Sequence, residues 1–200
     1  MNSRIFADKG MVFLKKYNSY TEREELLAHY GLETIYILIT KTIFVTIVSL
    51  LIGITKEMYI FMLFYGMLRI FASGMHLSRS VLCTIISTII LVVFPLLCIH
   101  AKIQLGLKII LLGIGIICSG LFSPADTHKK PLINSKIRIS LKIKSSIVLL
   151  IYTLLTIIIK NDYISNTIVF SVVLQVILIL PVTYKMFNMP YNNYLNYKEE

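Results

Sequence analysis

Six long apolar runs, at about 32–54, 57–73, 80–99, 103–122, 146–160 and 164–184, occupy most of the 200 residues. A helix rises about 1.5 Å per residue, so about 20 apolar residues cross the roughly 30 Å hydrocarbon layer of a bilayer. Runs of that length joined by short polar connections predict an all-α polytopic integral membrane protein with about six transmembrane helices. The second and fifth runs are short, and partly buried half-spans fit them as well. Composition excludes the soluble alternative: with 56% hydrophobic residues, no Trp and a mean hydropathy of +0.79, too few polar side chains remain to cover a globule in water. The chain reads as a single membrane domain over 1–200.

Residues 1–31 mix Ile5, Phe6, Met11, Val12, Phe13 and Leu14 with Arg4, Lys9, Lys15 and Lys16, the pattern of an amphipathic segment lying on a membrane. Thr21 followed by Glu24 forms a capping-box signature, which predicts a short helix from there to about Tyr30, ended by Gly31. No cleavable signal sequence is visible in this mixed-charge start, and the first span is expected to serve as the signal. Residues 185–200 form a polar tail.

Twenty Lys and Arg against ten Asp and Glu give a net charge of +10. The basic residues flank apolar runs, which points to a lipid bilayer surface or an acidic partner rather than nucleic acid. With six spans, Arg4, Lys9, Lys15, Lys16, Arg23, Arg69, Arg79, the basic residues of 123–146, Lys185 and Lys198 fall on one side. Lys56, Lys102 and Lys160 fall on the other. The positive-inside rule then puts both termini and the basic loops on the cytoplasmic face of the cell membrane.

The 123–146 loop is the main polar feature. Pro124 and Pro131 bracket Asp126, Thr127, His128, Lys129 and Lys130, predicting an ordered turn in which Asp126 bonds nearby backbone amides. From Ile137 to Lys144 the alternation fits a strand or a short lipid-surface segment equally. The basic run reads either as a headgroup anchor or as a docking site for an acidic peptide.

Between the second and third spans lies LRIFASGMHLSRSVLC, which holds Arg69, Gly74, His76 and Cys83. A thiol and an imidazole at one membrane face are the parts of a cysteine nucleophile with its base. Unbroken helix would separate them by about 10.5 Å along its axis, too far for proton transfer. The dyad therefore requires a break, which Gly74 and serines 73, 78 and 80 permit, with Ser78 or Ser80 capping the third span. Cys83 would then lie in that helix's first turns, where the dipole favours a thiolate. The same pair also reads as an interfacial histidine and a small lipid-facing cysteine. Cys98 and His100 point about 200° apart on a helix and make a poor dyad, and Cys118 reads as packing. Lys41 and Lys108, inside spans, either snorkel or pair, with Glu33 and Glu57 as candidate partners. No metal-ligand spacing or phosphate loop is visible, and no cofactor is expected.

These blocks resemble the accessory gene regulator B (AgrB) family, membrane cysteine endopeptidases of Gram-positive quorum sensing. Arg69, Gly74, His76 and Cys83 stand in the family's order and spacing, and Pro124-Ala125-Asp126-Thr127 followed by Lys129, Lys130 and Pro131 is similar to its signature loop. Ser73 departs from the glycine pair that often precedes the histidine. The resemblance implies Cys83 as nucleophile, His76 as base, and Arg69 and Gly74 as supports. It further implies an AgrD-like propeptide as substrate, with an amphipathic leader and an acidic tail that Lys129 and Lys130 would bind, and cyclisation to a thiolactone or lactone autoinducer. A homodimer is compatible with it. The competing readings are a non-enzymatic membrane peptide transporter or scaffold, for which the intramembrane charges speak, and a membrane acyltransferase using Cys83.

Overall fold

The structure is a computed structural model that describes residues 3–75, 80–127 and 131–197, with the side chains of Ser80 and Val81 excepted. His76, Lys129 and Lys130 lie outside the described residues. Among the described residues the chain is helical and carries no strand: α1 (Ser3–Leu14), α2 (Glu22–Ile52), α3 (Thr55–Ala72), α4 (Ser80–His100), α5 (Leu105–Phe122), α6 (Ser135–Ile158), α7 (Asp162–Ile179), α8 (Pro181–Met186) and a 3-10 turn at Asn193–Asn196. Two compact units result, 1–53 and 54–200.

In the first unit α1 and the start of α2 form an antiparallel pair. Asp8 meets His29 at 3.0 Å, Phe6 meets Tyr36 with ring centroids 5.1 Å apart, and Lys15 meets Glu25. Ile5, Val12 and Phe13 of α1 remain exposed, the uncovered apolar face expected of an amphipathic segment. The predicted cap is present, with the Thr21 hydroxyl accepting from the Glu24 amide and the Glu24 carboxylate accepting from the Thr21 amide. The predicted stop at Gly31 is not. A lone glycine costs a helix about 1 kcal/mol, and a backbone entering lipid has no other way to satisfy its hydrogen bonds. The helix therefore continues to Gly53, whose φ of +81° supplies the left-handed cap.

The second unit is built around α7, which packs against α3, α4, α5, α6 and α8. Its apolar core joins Leu68, Leu112, Val148, Leu149, Tyr152, Ile168, Val169 and Val172. Gly115 lets α5 approach α7 closely, because a Cβ there would run into Val172. Polar side chains lock neighbouring helices by donating to backbone carbonyls: Tyr152 to Phe64 O at 2.8 Å, Tyr163 to Glu57 O at 2.9 Å, and Asn166 to Cys98 O and Ala101 O at 3.2 and 2.8 Å. Lys108 pairs rather than snorkels, and its partner is not Glu57. Its buried ammonium bonds Asp162 at 3.2 Å and Ser165 at 2.6 Å.

Five helices are long and apolar enough to cross a membrane: α2, most of α4, α5, α6 and α7. The expected second span, α3, is also an 18-residue helix but carries Lys56, Glu57 and Arg69, and it is not among the five. The fifth span starts earlier than its apolar run. Asn134 caps α6 by accepting from the amides of Lys136 and Ile137, and no glycine or proline follows before Ile158, so 137–144 is helix rather than strand.

Candidate active site

The site begins where α3 stops. Ser73 has φ +56° and Gly74 φ +119°, so the chain leaves the helix sharply and runs extended through Met75. Three elements hold this turn. From α3, Arg69 donates through Nη1 to Ser73 O at 2.9 Å and through Nη2 to Met75 O, bridging the bend with a single planar guanidinium. From α7, Gln175 donates to Ser73 O at 2.7 Å, and Leu178 O accepts from the Met75 amide at 2.9 Å. From the loop after α5, Ala125 O accepts from the Gly74 amide at 2.7 Å and the Ala125 amide donates to Ala72 O at 3.1 Å. The last two bonds form an isolated parallel bridge between Ser73 and Ala125.

Glycine is required at 74. A Cβ there would lie 2.5 Å from Arg69 Nη1 and 3.0 Å from Leu178 O, at a φ that other residues rarely adopt. The helix thus breaks at Ser73 and Gly74, two of the positions where the sequence permits it, and the stretch 76–79 between His76 and Cys83 lies outside the described residues.

Cys83 is the fourth residue of α4 and is buried, 8% exposed. It occupies the first turn, where backbone N–H groups lack helical acceptors and the dipole is positive. Ser87, one turn on, donates to Cys83 O at 2.5 Å, with its hydroxyl 4.0 Å from the sulfur. α3, which carries Arg69, packs against α4, which carries Cys83. Cys98 is fully buried among Phe61 and Leu174, while His100 is exposed, which leaves them unpaired with each other as expected. None of the three cysteines forms a disulfide.

The signature loop is ordered by Asp126, which is buried. Its carboxylate accepts from the Leu132 amide at 3.4 Å, the local bond expected of a proline-bracketed turn. It also accepts from the distant Asn193 and Tyr194 amides at 2.9 and 2.8 Å. Tyr184 donates to Asp126 O at 2.9 Å.

Of the expected site residues, Arg69 and Gly74 come together in one turn and Cys83 stands at the adjoining helix start. Sequence reasoning missed Gln175, Asp126's long-range partners and Tyr184. Gln175 did leave a signal: it is a lone amide in the apolar run VVLQVILI.

These features define a multi-pass α-helical membrane protein with a braced, strained turn after α3 and a buried thiol in the first turn of α4. The family model for accessory gene regulator B matches residues 7–179, and the chain belongs to that family. It is 32% identical over 171 residues to an AgrB-like protein of Clostridium acetobutylicum, covering 84% of this chain and 80% of that one. It is 34% identical over 179 residues to an AgrB-like protein of Listeria monocytogenes, covering 88% and 87%. An AgrB-like protein of Lactiplantibacillus plantarum is 31% identical over 176 residues, covering 88% of each. No solved structure matches the chain.

Proposed function

We propose that this chain is a membrane cysteine endopeptidase that cleaves an AgrD-like propeptide and cyclises the product for quorum sensing. The observation that carries the reading is the turn at 73–75, braced at both ends by Arg69, which delivers the chain to His76 while Cys83 occupies the first turn of the next helix.

In this mechanism His76 takes the proton from Cys83, and the thiolate attacks the carbonyl carbon at the junction of signal segment and tail. The C–N bond breaks, the departing tail amine takes the proton from His76, and the signal segment remains as a thioester on Cys83. A Cys or Ser side chain within the bound segment then gives its proton to His76 and attacks the thioester. The thiolactone or lactone leaves, and Cys83 recovers its proton. Intramolecular attack has a high effective molarity, and a membrane-shielded thiol meets little competing water. Arg69 and Gly74 act by fixing the turn rather than by touching substrate.

The acidic tail is assigned to Lys129, Lys130 and the basic start of α6. Lys136 and Arg138 stand in the first turn of that helix, where cations oppose the dipole, and a nearby anion relieves the opposition. Both termini and the site are assigned to the cytoplasmic face. A transporter reading has one feature in its favour: Asn166 Oδ1, Ser171 Oγ and Gln175 Oε1, all on α7, are buried with no hydrogen-bond partner among the described residues.

Co-expression with the candidate propeptide and mass analysis of the products decides between them. The peptidase reading expects a cyclic product and a released tail from the wild type, and neither from Cys83→Ala or His76→Ala at equal membrane levels. Normal tail release by Cys83→Ala would end it. Reversing Lys129 and Lys130 to Glu should raise KM by about tenfold to a few tens of fold with kcat largely kept, since interfacial charge contacts are worth about 1 kcal/mol each and add to ground and transition state alike.

A further inference from the structure

We propose that the C-terminal segment 187–197 is a clamp on the turn that precedes His76, with Asn193 as a positioning residue acting through Asp126; this rests on the reading of His76 and Cys83 as the peptidase dyad. The segment lies beyond the residues that the family model matches, 7–179. Terminal segments with no task are ordinarily solvated, yet Asn193 is only 1% exposed.

The connection runs through consecutive bonds. Asn192 adopts φ +53° and ψ +49°, a left-handed bend after which the amides of Asn193 and Tyr194 both point at the Asp126 carboxylate, making a small anion nest. The Asn193 side chain adds a third donor at 3.3 Å, and its amide also bonds Pro190 O at 2.9 Å, which holds the nest in shape. Asp126 is 2% exposed, so these N–H groups supply most of the solvation its charge requires. Remove them and the carboxylate must turn to water, taking Ala125 with it.

Ala125 is the contact that matters for the site. Its amide and carbonyl bond Ala72 O and the Gly74 amide, and those are the bonds of the strained turn. Tyr184 adds a parallel route, donating to Ala125 O at 3.3 Å and Asp126 O at 2.9 Å while its ring meets Tyr191 edge-on at 5.1 Å. Met75, Ala125, Ile179 and Tyr184 form one buried cluster on which Met189 and Tyr191 pack. At the far end of the segment, Arg138 of α6 sits 3.7 Å over the Tyr194 ring. The segment thus joins the basic helix, the signature loop and the catalytic turn.

The test uses full-length chain in proteoliposomes with two readouts. The first is kcat and KM for propeptide cleavage by Asn193→Ala and by a chain ending at Met189, with a chain ending at Tyr197 as control. The second is the labelling rate of Met75→Cys in a chain whose three native cysteines are replaced by alanine. The clamp predicts a kcat reduced about tenfold by Asn193→Ala and at least about a hundredfold by loss of the segment, KM within about threefold, and wild-type behaviour of the control. It also predicts labelling of position 75 at least about tenfold faster when the segment is removed. Unchanged labelling would overturn the clamp whatever the chemistry, and faster labelling with unchanged kcat would overturn its catalytic role. Should the shortened chain fail to insert, Asn193→Ala decides alone by the same two readouts. Cleavage by Cys83→Ala would instead sink the peptidase reading, and the labelling result would still judge the clamp.

Discussion

At its N-terminal end α7 meets Lys108, whose ammonium bonds Asp162 and Ser165; at its C-terminal end it meets the turn after α3, where Gln175 and Leu178 bind Ser73 and Met75. Both ends bury polar groups, but they do so to different effect. The Lys108 cluster is relaxed: the lysine is buried while the Asp162 side chain is 88% exposed, and no residue in it is held at a positive φ. The other end holds two successive residues at positive φ, one of them Ser73, a backbone state that costs on the order of 1–3 kcal/mol for a residue other than glycine. Seven hydrogen bonds from three elements converge on residues 72–75 to offset it. Strain that is held so heavily sets this end of α7 apart from the other, and it is here that the proposed dyad would lie.

If that contrast is right, substitutions at the two ends should differ sharply in their effect on cleavage. The largest loss is expected for Gly74→Ala. Its Cβ collides with Arg69 Nη1 at 2.5 Å, the bracing guanidinium must move, and cleavage should fall at least about a hundredfold in a proteoliposome assay. Arg69→Lys comes next, because an ammonium cannot bridge Ser73 O and Met75 O in one plane; a kcat loss of about tenfold to a hundredfold is expected, with KM nearly unchanged. Gln175→Leu removes one neutral bond to Ser73 O while Arg69 keeps the other, and should cost about threefold to tenfold in kcat. At the opposite end, Lys108→Met should leave cleavage within about twofold and thermal stability unchanged or slightly raised, since Asp162 returns to water and a buried ion is replaced by an apolar chain of similar shape. A hundredfold loss from Lys108→Met would erase the distinction between the two ends.

The features legible from sequence are those with short range. The apolar periods gave the helical membrane class, Thr21 with Glu24 gave a true cap, and Gly74 with Ser73 gave a helix break after α3. The misreadings came where a local rule met a stronger demand. Gly31 did not end α2, because an interior glycine is cheaper than an unsatisfied backbone at the membrane. Alternation at 137–144 did not make a strand, because the Asn134 cap had already started α6. Gln175 to Ser73, Asn193 to Asp126 and Lys108 to Asp162 join residues 102, 67 and 54 positions apart, and no spacing rule encodes such pairs.

The central claim is that Cys83 carries the signal segment as a thioester, and it is tested most directly by trapping that species. A propeptide whose ring Cys or Ser is replaced by alanine can still acylate the thiol but cannot close the ring, so the intermediate should accumulate in the water-poor site. Intact-mass analysis of the purified chain is expected to show an adduct equal to the leader and signal segment, located on Cys83, removed by hydroxylamine and absent from Cys83→Ala. Release of the tail with no adduct on Cys83, or an adduct on Cys98 or Cys118, would contradict the account.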